Sequence, residues 1–297
     1  MKDFCSDFSD YLIHRKAVSA NTLESYVRDV EQFLAYLRSI GTEDPSDVDQ
    51  EGMNAYIDSL KRNKKSNATI IRNVASIRCF YRYLVLSGLS ASNPAKGIRL
   101  EKAEKKFPQI LNGNEIELLL SQPDIREPKG CRDKAMLELL YATGIRASEL
   151  VDLDVDNIDL RTGMLRCSTG RSERVIPVYP TAVSAVSDYI LRVRSQMITP
   201  AGGQALFVNL SGRRLTRQGF WKIVKSYAEQ ARIVKEITPY TLRHSFALHL
   251  LENGAELKDI QAMLGHADIS STQIYVHLLN DHYKEVYNQC HPKAKMG

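Results

Sequence analysis

The chain has 297 residues, of which 43% are hydrophobic and 25% are charged, and its formal net charge is +5. This length suits two domains better than one, and the composition predicts a folded globular protein. No apolar run approaches the roughly 20 residues that a membrane span needs. The amino-terminal residues lack the apolar core of a signal peptide. We therefore expect a cytoplasmic protein without membrane contact.

The cysteines exclude two common kinds of stabilisation. Their number is odd, they are widely scattered and they form no CxxC pair. Neither a disulfide framework nor a zinc site is expected from such a pattern. We expect buried or unused thiols and no bound metal. The five residues are Cys5, Cys79, Cys131, Cys167 and Cys290.

Helices are predicted for the first hundred residues. Apolar residues recur at helical spacing over 23–37, and Gly41 ends that run. Asp49 can cap a second helix with its side chain, and Asn67 can cap a third. Gly88 stops the third helix.

The strongest charge asymmetry lies in residues 61–106, which hold twelve Lys/Arg and two acids. Such a block can neutralise phosphates and release counterions from a polyanion, although a charge block alone can also be a plain solvated surface. Two of its arginines, Arg78 and Arg82, are four residues apart and share a helix face. The candidate DNA contacts are Lys64, Lys65, Arg72, Arg78, Arg82 and Lys102.

Residues 88–108 are rich in small, charged and turn-forming residues, including Pro94 and Pro108. This change of character predicts a linker between domains. Asn112 then forms a capping-box pattern with Glu115 and opens the second part. In that part we predict helices at 113–121, 130–142 and near 181–194, a β-hairpin at 164–178, a short strand at 205–209, and helices from 216 to about 290.

Three segments in the second part carry residues suited to phosphate chemistry. Arg146 opens a helix in the first segment, Arg243 lies inside a helix in the second, and the third contains His266 and Tyr275. Each residue alone is more often structural, because most arginines make surface ion pairs and most tyrosines pack. Their order and spacing make the pattern informative. The segments are ATGIRASEL at 142–150, TPYTLRHSFALHLLENG at 238–254 and MLGHADISSTQIYVHL at 263–278.

These segments, the basic helical first part and the linker resemble the tyrosine recombinase, or phage integrase, family, and within it the Xer recombinases. The resemblance covers nearly the whole chain, including the tail YKEVYNQCHPKA at 283–294. It implies a mostly α fold. A helical, SAM-like core-binding domain at 1–100 would bind DNA. A linker at 101–110 would lead to an α-rich catalytic domain at 111–297 with a small β-hairpin or sheet.

The resemblance also implies roles for individual residues. Arg146 and Arg243 match two arginines that grip the scissile phosphate, His266 matches a histidine that hydrogen-bonds it, and Tyr275 matches the nucleophile. Charge builds on the non-bridging oxygens during attack, and planar guanidinium groups hold those oxygens through paired hydrogen bonds. Glu149 matches a position that supports the arginines. The phosphotyrosine keeps the bond energy, so no cofactor, metal or ATP is expected.

The hairpin departs from the family pattern. The family lysine that protonates the leaving 5′ oxygen aligns with Thr169, and no lysine occurs anywhere from 135 to 221. Arg171 and Arg174 are the nearby cations, and Arg171 is the candidate substitute for the proton donor. Arginine stays charged, however, and is a poor donor. Losing a general acid typically costs about 10²- to 10⁴-fold in rate.

A second departure lies in the Arg243 helix, where the family motif His-x-x-Arg reads Tyr240-x-x-Arg243. A phenol can hydrogen-bond phosphate but is a much weaker acid than imidazolium. His244, one residue further on, is expected to face elsewhere. Two interpretations stay open: an active enzyme in which Tyr240 and Arg171 compensate in part, or a slow, partner-dependent one. The remaining nucleophile, arginines and His266 favour retained activity.

The resemblance implies resolution of chromosome or plasmid multimers by an enzyme that cuts and rejoins DNA. The alternatives are an integrase or excisionase of a mobile element, and a DNA-binding protein with weakened catalysis. The implied partner is duplex DNA with inverted-repeat sites, bound by a homo- or hetero-tetramer, and a DNA translocase is a further implied partner. The amphipathic segment 281–291 would dock on a neighbouring subunit or on its own domain.

Overall fold

A computed structural model describes residues 3–100, 108–169 and 172–290 of the chain. The chain divides into two compact units, residues 1–106 and residues 107–297. Lys102 was predicted to bind DNA, and Arg171 was predicted to substitute for the proton donor. Both lie outside the described residues. Among the residues described, no helix combines the length and apolar character that a membrane crossing requires.

Helices make up the first unit, and their boundaries follow the capping residues. Asp49 caps the helix Gln50–Arg62 as predicted, because its carboxylate accepts the Gly52 N–H at 2.8 Å. The cap predicted for the next helix, Asn67–Leu86, was wrong by one residue. Ser66 has the extended backbone of a cap and accepts the Thr69 N–H at 3.2 Å, whereas Asn67 is already helical. The helices are α1 (Phe4–His14), α2 (Ala20–Ser39), α3 (Gln50–Arg62) and α4 (Asn67–Leu86).

Aromatic side chains fill the core of this unit. Phe8 of α1 meets Phe80 of α4 edge-on, with ring centroids 5.3 Å apart. Phe33 of α2 meets Tyr56 of α3 in the same way, at 5.0 Å. All four rings are buried. The apolar stripes read from the sequence are therefore the faces on which these helices pack.

A buried carboxylate links α2 to α4. Asp29 accepts hydrogen bonds from the Arg72 guanidinium, from Ser76 Oγ at 2.7 Å and from Asn73 Nδ2 at 3.2 Å. Its side chain is almost inaccessible to solvent. Arg72, one of the candidate DNA contacts, thus neutralises a buried charge inside its own unit.

Arg78 is also engaged within the unit. Its guanidinium donates to the carbonyls of Ala95 at 3.1 Å and Ile98 at 3.0 Å. These bonds fasten the beginning of the predicted linker to α4. Lys64, Lys65 and Arg82, by contrast, are exposed. The DNA contacts proposed from the basic block remain a prediction, and these three cations are its best-placed members.

The second unit has a main apolar core, in which α6 is buried on nearly all sides, and a smaller apolar cluster that includes Tyr275. Asn112 and Glu115 form the predicted capping box, with bonds of 2.8 and 2.9 Å. The helices are α5 (Gly113–Leu120), α6 (Pro128–Thr143), α7 (Ala147–Asp152), α8 (Pro180–Asp188), α9 (Ser195–Met197), α10 (Arg217–Gln230), α11 (Pro239–Glu252), α12 (Leu257–Leu264) and α13 (Ser270–Cys290), and a π-helical segment, Tyr189–Arg194, joins α8 to α9.

The predicted β-hairpin is present and forms an antiparallel sheet with a third short strand. The strand order is β1 (Ile158–Asp159), β2 (Met164–Thr169), β3 (Ser172–Pro177). The register pairs Cys167 with Arg174 and Leu165 with Ile176. Because side chains alternate across a strand, the buried Leu165, Cys167 and Ile176 lie on the core side, and Arg174 lies with them.

The strand predicted at 205–209 is not formed. This segment makes only two isolated bridges, Asp154 with Ala205 and Val208 with Arg214. Its apolar side chains are buried in the core. A short apolar run fits a buried strand and a buried irregular segment equally well, so periodicity alone could not separate them.

We predict that Asp29→Ala lowers the free energy of unfolding by about 2–4 kcal/mol, because three buried or partly buried donors lose their acceptor. Denaturant titration of the first unit's transition measures this change. Asp58→Ala is the matched control, since Asp58 makes an exposed ion pair with Lys61 at 3.2 Å and its loss should cost at most about 1 kcal/mol. Equal effects of the two changes would contradict the prediction.

Candidate active site

The first arginine of the site caps a short helix. Gly144 ends α6 in the left-handed conformation, with φ of 58°, and the chain turns there into α7. Arg146 occupies the cap position, where its N–H donates to Glu149 Oε2 at 2.7 Å. Its guanidinium donates to Glu149 Oε1 at 3.1 Å. One carboxylate therefore fixes both the backbone and the side chain of Arg146.

A second guanidinium reaches the same carboxylate from the sheet. Arg174 of β3 donates to Glu149 Oε1 at 3.0 Å and Oε2 at 2.8 Å, and to the Met263 carbonyl at 2.8 Å. Its guanidinium also lies against Gly265, where an added Cβ would stand 2.9 Å from Nη1. Arg174 thus ties the hairpin to α7 and to the turn after α12.

Arg243 of α11 is held in place by main-chain carbonyls. Its guanidinium donates to Gly144 O at 2.6 Å and to Leu264 O at 2.8 Å, and the side chain is 3% exposed. Burial, together with the nearby charge of Arg146, lowers the pKa of Arg243 to about 10, so it remains a cation at neutral pH. The site concentrates positive charge around one carboxylate and suits an anion.

An open cavity of about 340 Å³ joins these arginines. Arg146 and Arg243 both line it, as does Tyr240, which is 58% exposed. Arg217 and Trp221 of α10 also line it. A polyanion can therefore reach both predicted phosphate-binding arginines from solvent.

Tyr275 of α13 is 1% exposed and lies close enough to Arg243 for each to affect the pKa of the other. Its hydroxyl is 2.9 Å from His244 Nδ1. Burial raises the pKa of the Tyr275 phenol to about 12, against the opposing effect of Arg243. Burial and Arg243 also lower the pKa of His244 to about 4. Both side chains are therefore neutral at pH 7.

The second histidine of the site, His266, follows Gly265 in the turn after α12. Its Nδ1 lies 2.9 Å from Thr272 Oγ1, at the start of α13. Burial, then Arg243 and Arg146, lowers the pKa of His266 to about 4. A neutral imidazole that is held through Nδ1 keeps Nε2 available for a further hydrogen bond.

The structure thus brings together most of the residues selected from the sequence, namely Arg146, Glu149, Tyr240, Arg243, His266 and Tyr275. Thr169 is the last residue of β2 and pairs with Ser172, but the side chain of Thr169 and the turn residue Arg171 lie outside the described residues. That Thr169 or Arg171 takes the place of the proton-donating lysine of the family stays a prediction.

The expectation that His244 faces away from the site was wrong. Its ring lies 5.7 Å from that of Tyr275 and 6.4 Å from that of Tyr240, between centroids. Residues four apart share a helix face, so the placement of Tyr240 in the site already indicated His244. Arg174 was also undervalued, although the alternation of buried residues in β3 points it inward.

Comparisons with known proteins identify the family of the chain. Residues 109–282 match the phage integrase family, and residues 6–88 match the phage integrase N-terminal SAM-like domain. The chain is 42% identical over 297 residues to a Listeria innocua protein named tyrosine recombinase XerD, covering 99% of this chain and 100% of the relative. It is 43% identical over 281 residues to the tyrosine recombinase XerD of Halalkalibacterium halodurans, covering 94% of each.

Two solved structures share the fold at lower identity. XerH bound to a palindromic difH substrate, in a post-cleavage complex, has a TM-score of 0.72 and 20% identity, covering 96% of this chain and 84% of that one. The Tn1549 transposon integrase with a circular intermediate DNA has a TM-score of 0.73 and 18% identity, covering 92% and 94%. The chain therefore belongs to the phage integrase family, and the resemblance to Xer recombinases and the mostly α fold class are confirmed.

We predict that Gly144→Ala weakens the second unit. The new Cβ would stand 2.3 Å from Phe246 Cδ1 and would face a positive φ, which side chains rarely tolerate. We expect a loss of about 2–4 kcal/mol in the free energy of unfolding. Gly254→Ala is the control, because its φ is also positive but nothing lies within 4 Å of the added Cβ. Equal losses for both would show that the Phe246 contact is unimportant.

Proposed function

We propose that this chain is a site-specific tyrosine recombinase, in which Tyr275 Oη attacks a DNA phosphate and forms a 3′-phosphotyrosine. The observation that carries the proposal is the shared cavity of Arg146 and Arg243 beside the buried phenol of Tyr275. In that cavity two guanidinium groups can hold the non-bridging oxygens of one phosphodiester while a nucleophile approaches from the protein side.

The fixed positions of the arginines support this role. Arg243 needs no movement to present positive charge, because two carbonyls already hold it. Glu149 aligns Arg146 and binds Arg174, so its proposed function is to support the guanidinium groups. Preorganised charge of this kind stabilises a transition state without reorganisation at the moment of reaction.

The remaining proposed roles concern protons and hydrogen bonds. His266 would donate from Nε2 to a phosphate oxygen, since a neutral imidazole with an occupied Nδ1 can do so. Tyr240, on the cavity wall, would donate a hydrogen bond where relatives of the family have histidine. Thr169 and Arg171 are the candidates beside the leaving 5′ oxygen. The reaction exchanges one phosphodiester for another, and we propose that it requires no metal, cofactor or ATP.

The predicted N-terminal domain, residues 1–100, would bind duplex DNA, and residues 111–297 would catalyse. The resemblance to Xer recombinases favours resolution of multimers of circular DNA, which a tetramer on two inverted-repeat sites would carry out, with a DNA translocase as a further partner. The likeness to the Tn1549 integrase keeps integration of a mobile element as the second candidate.

The segment 281–291 was predicted to dock on a neighbouring subunit or on its own domain. Helix α13 continues to Cys290, but the side chains of this segment lie outside those described, so the docking stays a prediction.

We predict that a nicked suicide duplex traps a covalent adduct with the wild-type chain and none with Tyr275→Phe, because phenylalanine has no nucleophilic oxygen. The duplex carries the inverted-repeat site recovered by selection from random-sequence DNA. Denaturing gel electrophoresis detects the adduct.

Arg146→Lys and Arg243→Lys separate catalysis from binding in the same assay. Lysine keeps the charge but loses the paired hydrogen bonds, so adduct formation should slow by about 10²-fold or more, with much less loss of DNA affinity. If the wild-type chain binds the duplex but forms no covalent adduct, the chain is better described as a DNA-binding protein without catalysis.

We predict that replacing Lys64, Lys65 and Arg82 with alanine weakens DNA binding and flattens its salt dependence. Each lost phosphate contact should reduce the slope of log affinity against log salt by about 0.9. Arg126→Ala is the control, because Arg126 is exposed in the second unit and pairs with Asp124. An unchanged slope in the triple variant would remove these cations from the DNA interface.

A further inference from the structure

Tyr275 and His244 form a pair whose geometry suits proton transfer. The phenolic oxygen lies 2.9 Å from Nδ1, which is within the reach required of a general base. His244 is on α11 and Tyr275 is on α13, so two separate helices must be packed together for the contact to exist. Arg243, next to His244 in sequence, fixes α11 through Gly144 O and Leu264 O.

The pKa values define where the proton lies before the reaction. The pKa of Tyr275 is about 12 and that of His244 is about 4, so a neutral phenol faces a neutral imidazole at pH 7. A phenol attacks phosphorus only as its proton leaves. Within the described part of the chain, the Tyr275 hydroxyl is hydrogen-bonded to His244 Nδ1, which can accept that proton.

We propose that His244 is a catalytic residue of the reaction, whose Nδ1 takes the phenolic proton as Tyr275 Oη attacks the phosphorus; this rests on the proposed function. The Oη–P bond forms, the P–O5′ bond breaks, and the proton moves from Oη to Nδ1. The departing 5′ oxygen takes a proton from water, and the imidazolium then neutralises the resulting hydroxide. Rejoining runs the same transfers in reverse.

The surroundings of His244 favour this transfer once DNA is bound. Tyr240 and Arg243 neighbour it on α11, His266 approaches from the turn after α12, and Tyr275 from α13. Arg243 disfavours an imidazolium in the free protein. A phosphodiester held by Arg243 brings a negative charge, which offsets that repulsion and raises the basicity of His244.

The test is the single-turnover rate of adduct formation on the suicide duplex, for the wild type, His244→Ala and His244→Asn. Asparagine retains a hydrogen-bonding group near the position of Nδ1 but cannot accept the proton. Both variants should slow the reaction by about 10²- to 10⁴-fold, the usual contribution of acid–base catalysis. DNA affinity should stay close to that of the wild type, and the asparagine variant, which retains a polar group beside the Tyr275 hydroxyl, carries the test if the alanine variant does not fold.

A second substrate identifies which oxygen the histidine serves. In a duplex with sulfur in place of the bridging 5′ oxygen, the leaving thiolate needs no proton. The His244 variants should remain slow on this substrate, because their defect lies in the nucleophile. Restoration of the rate by sulfur would overturn the proposal and would assign His244 to the leaving group.

A matched histidine–tyrosine pair in the same unit supplies the control. His249 Nδ1 lies 2.9 Å from the Tyr141 hydroxyl, and His249 is on α11 as well. His249→Asn should leave the adduct rate unchanged. An equal slowing by this change would show that the His244 effect is only structural.

The remaining outcomes are also decisive. A rate for His244→Asn or His244→Ala within about threefold of the wild type, or a faster rate, would overturn the proposal; a faster rate would mean that the hydrogen bond restrains the tyrosine. Wild-type chain that binds the duplex and forms no adduct would defeat the proposed function itself. Equal adduct formation by wild type and variants defeats only the role of His244.

Discussion

The candidate site depends on the buried guanidinium of Arg243. Its two hydrogen bonds join the end of α6, at Gly144 O, to the end of α12, at Leu264 O. Arg146 follows the first of these carbonyls and His266 follows the second, so one side chain sets the spacing of the proposed phosphate-binding groups. A cation buried this deeply is costly unless its donors are satisfied, and the carbonyls meet that requirement without cancelling its charge.

Electrostatics then separates the roles of the other groups. The single carboxylate of Glu149 neutralises only part of the charge of Arg146 and Arg174, which leaves the cavity attractive to an anion. The same positive field, combined with burial, keeps His244 and His266 neutral. Neutral imidazoles accept or donate single protons, whereas the arginines supply permanent charge. In the proposed reaction, charge stabilisation and proton handling would therefore belong to different side chains.

The sequence predicted the helical fold, the hairpin, the capping box at Asn112 and the set of residues around Tyr275. These features depend on local periodicity and on motifs, which one chain displays directly. It failed at 205–209, because burial by tertiary contacts gives the same apolar run as a strand. It also failed at His244, although the spacing from Tyr240 placed that residue on the same helix face; the contact with Tyr275, 31 positions away on another helix, is visible only in the structure. Arg72 and Arg78 were equally ambiguous, since an arginine used internally cannot be distinguished from one left for a ligand.

The strand register at Arg174 limits how the hairpin can be exchanged between recombinases. Side chains reverse face at every step along a strand, so deleting one residue within β3 would turn this guanidinium toward solvent and release Glu149 and the Met263 carbonyl together. A chimera that borrows a longer or shorter turn must therefore preserve the parity of the strand that follows. Gly265 supports the same contact, because its φ is positive and an added methyl group would stand 2.9 Å from the Arg174 guanidinium.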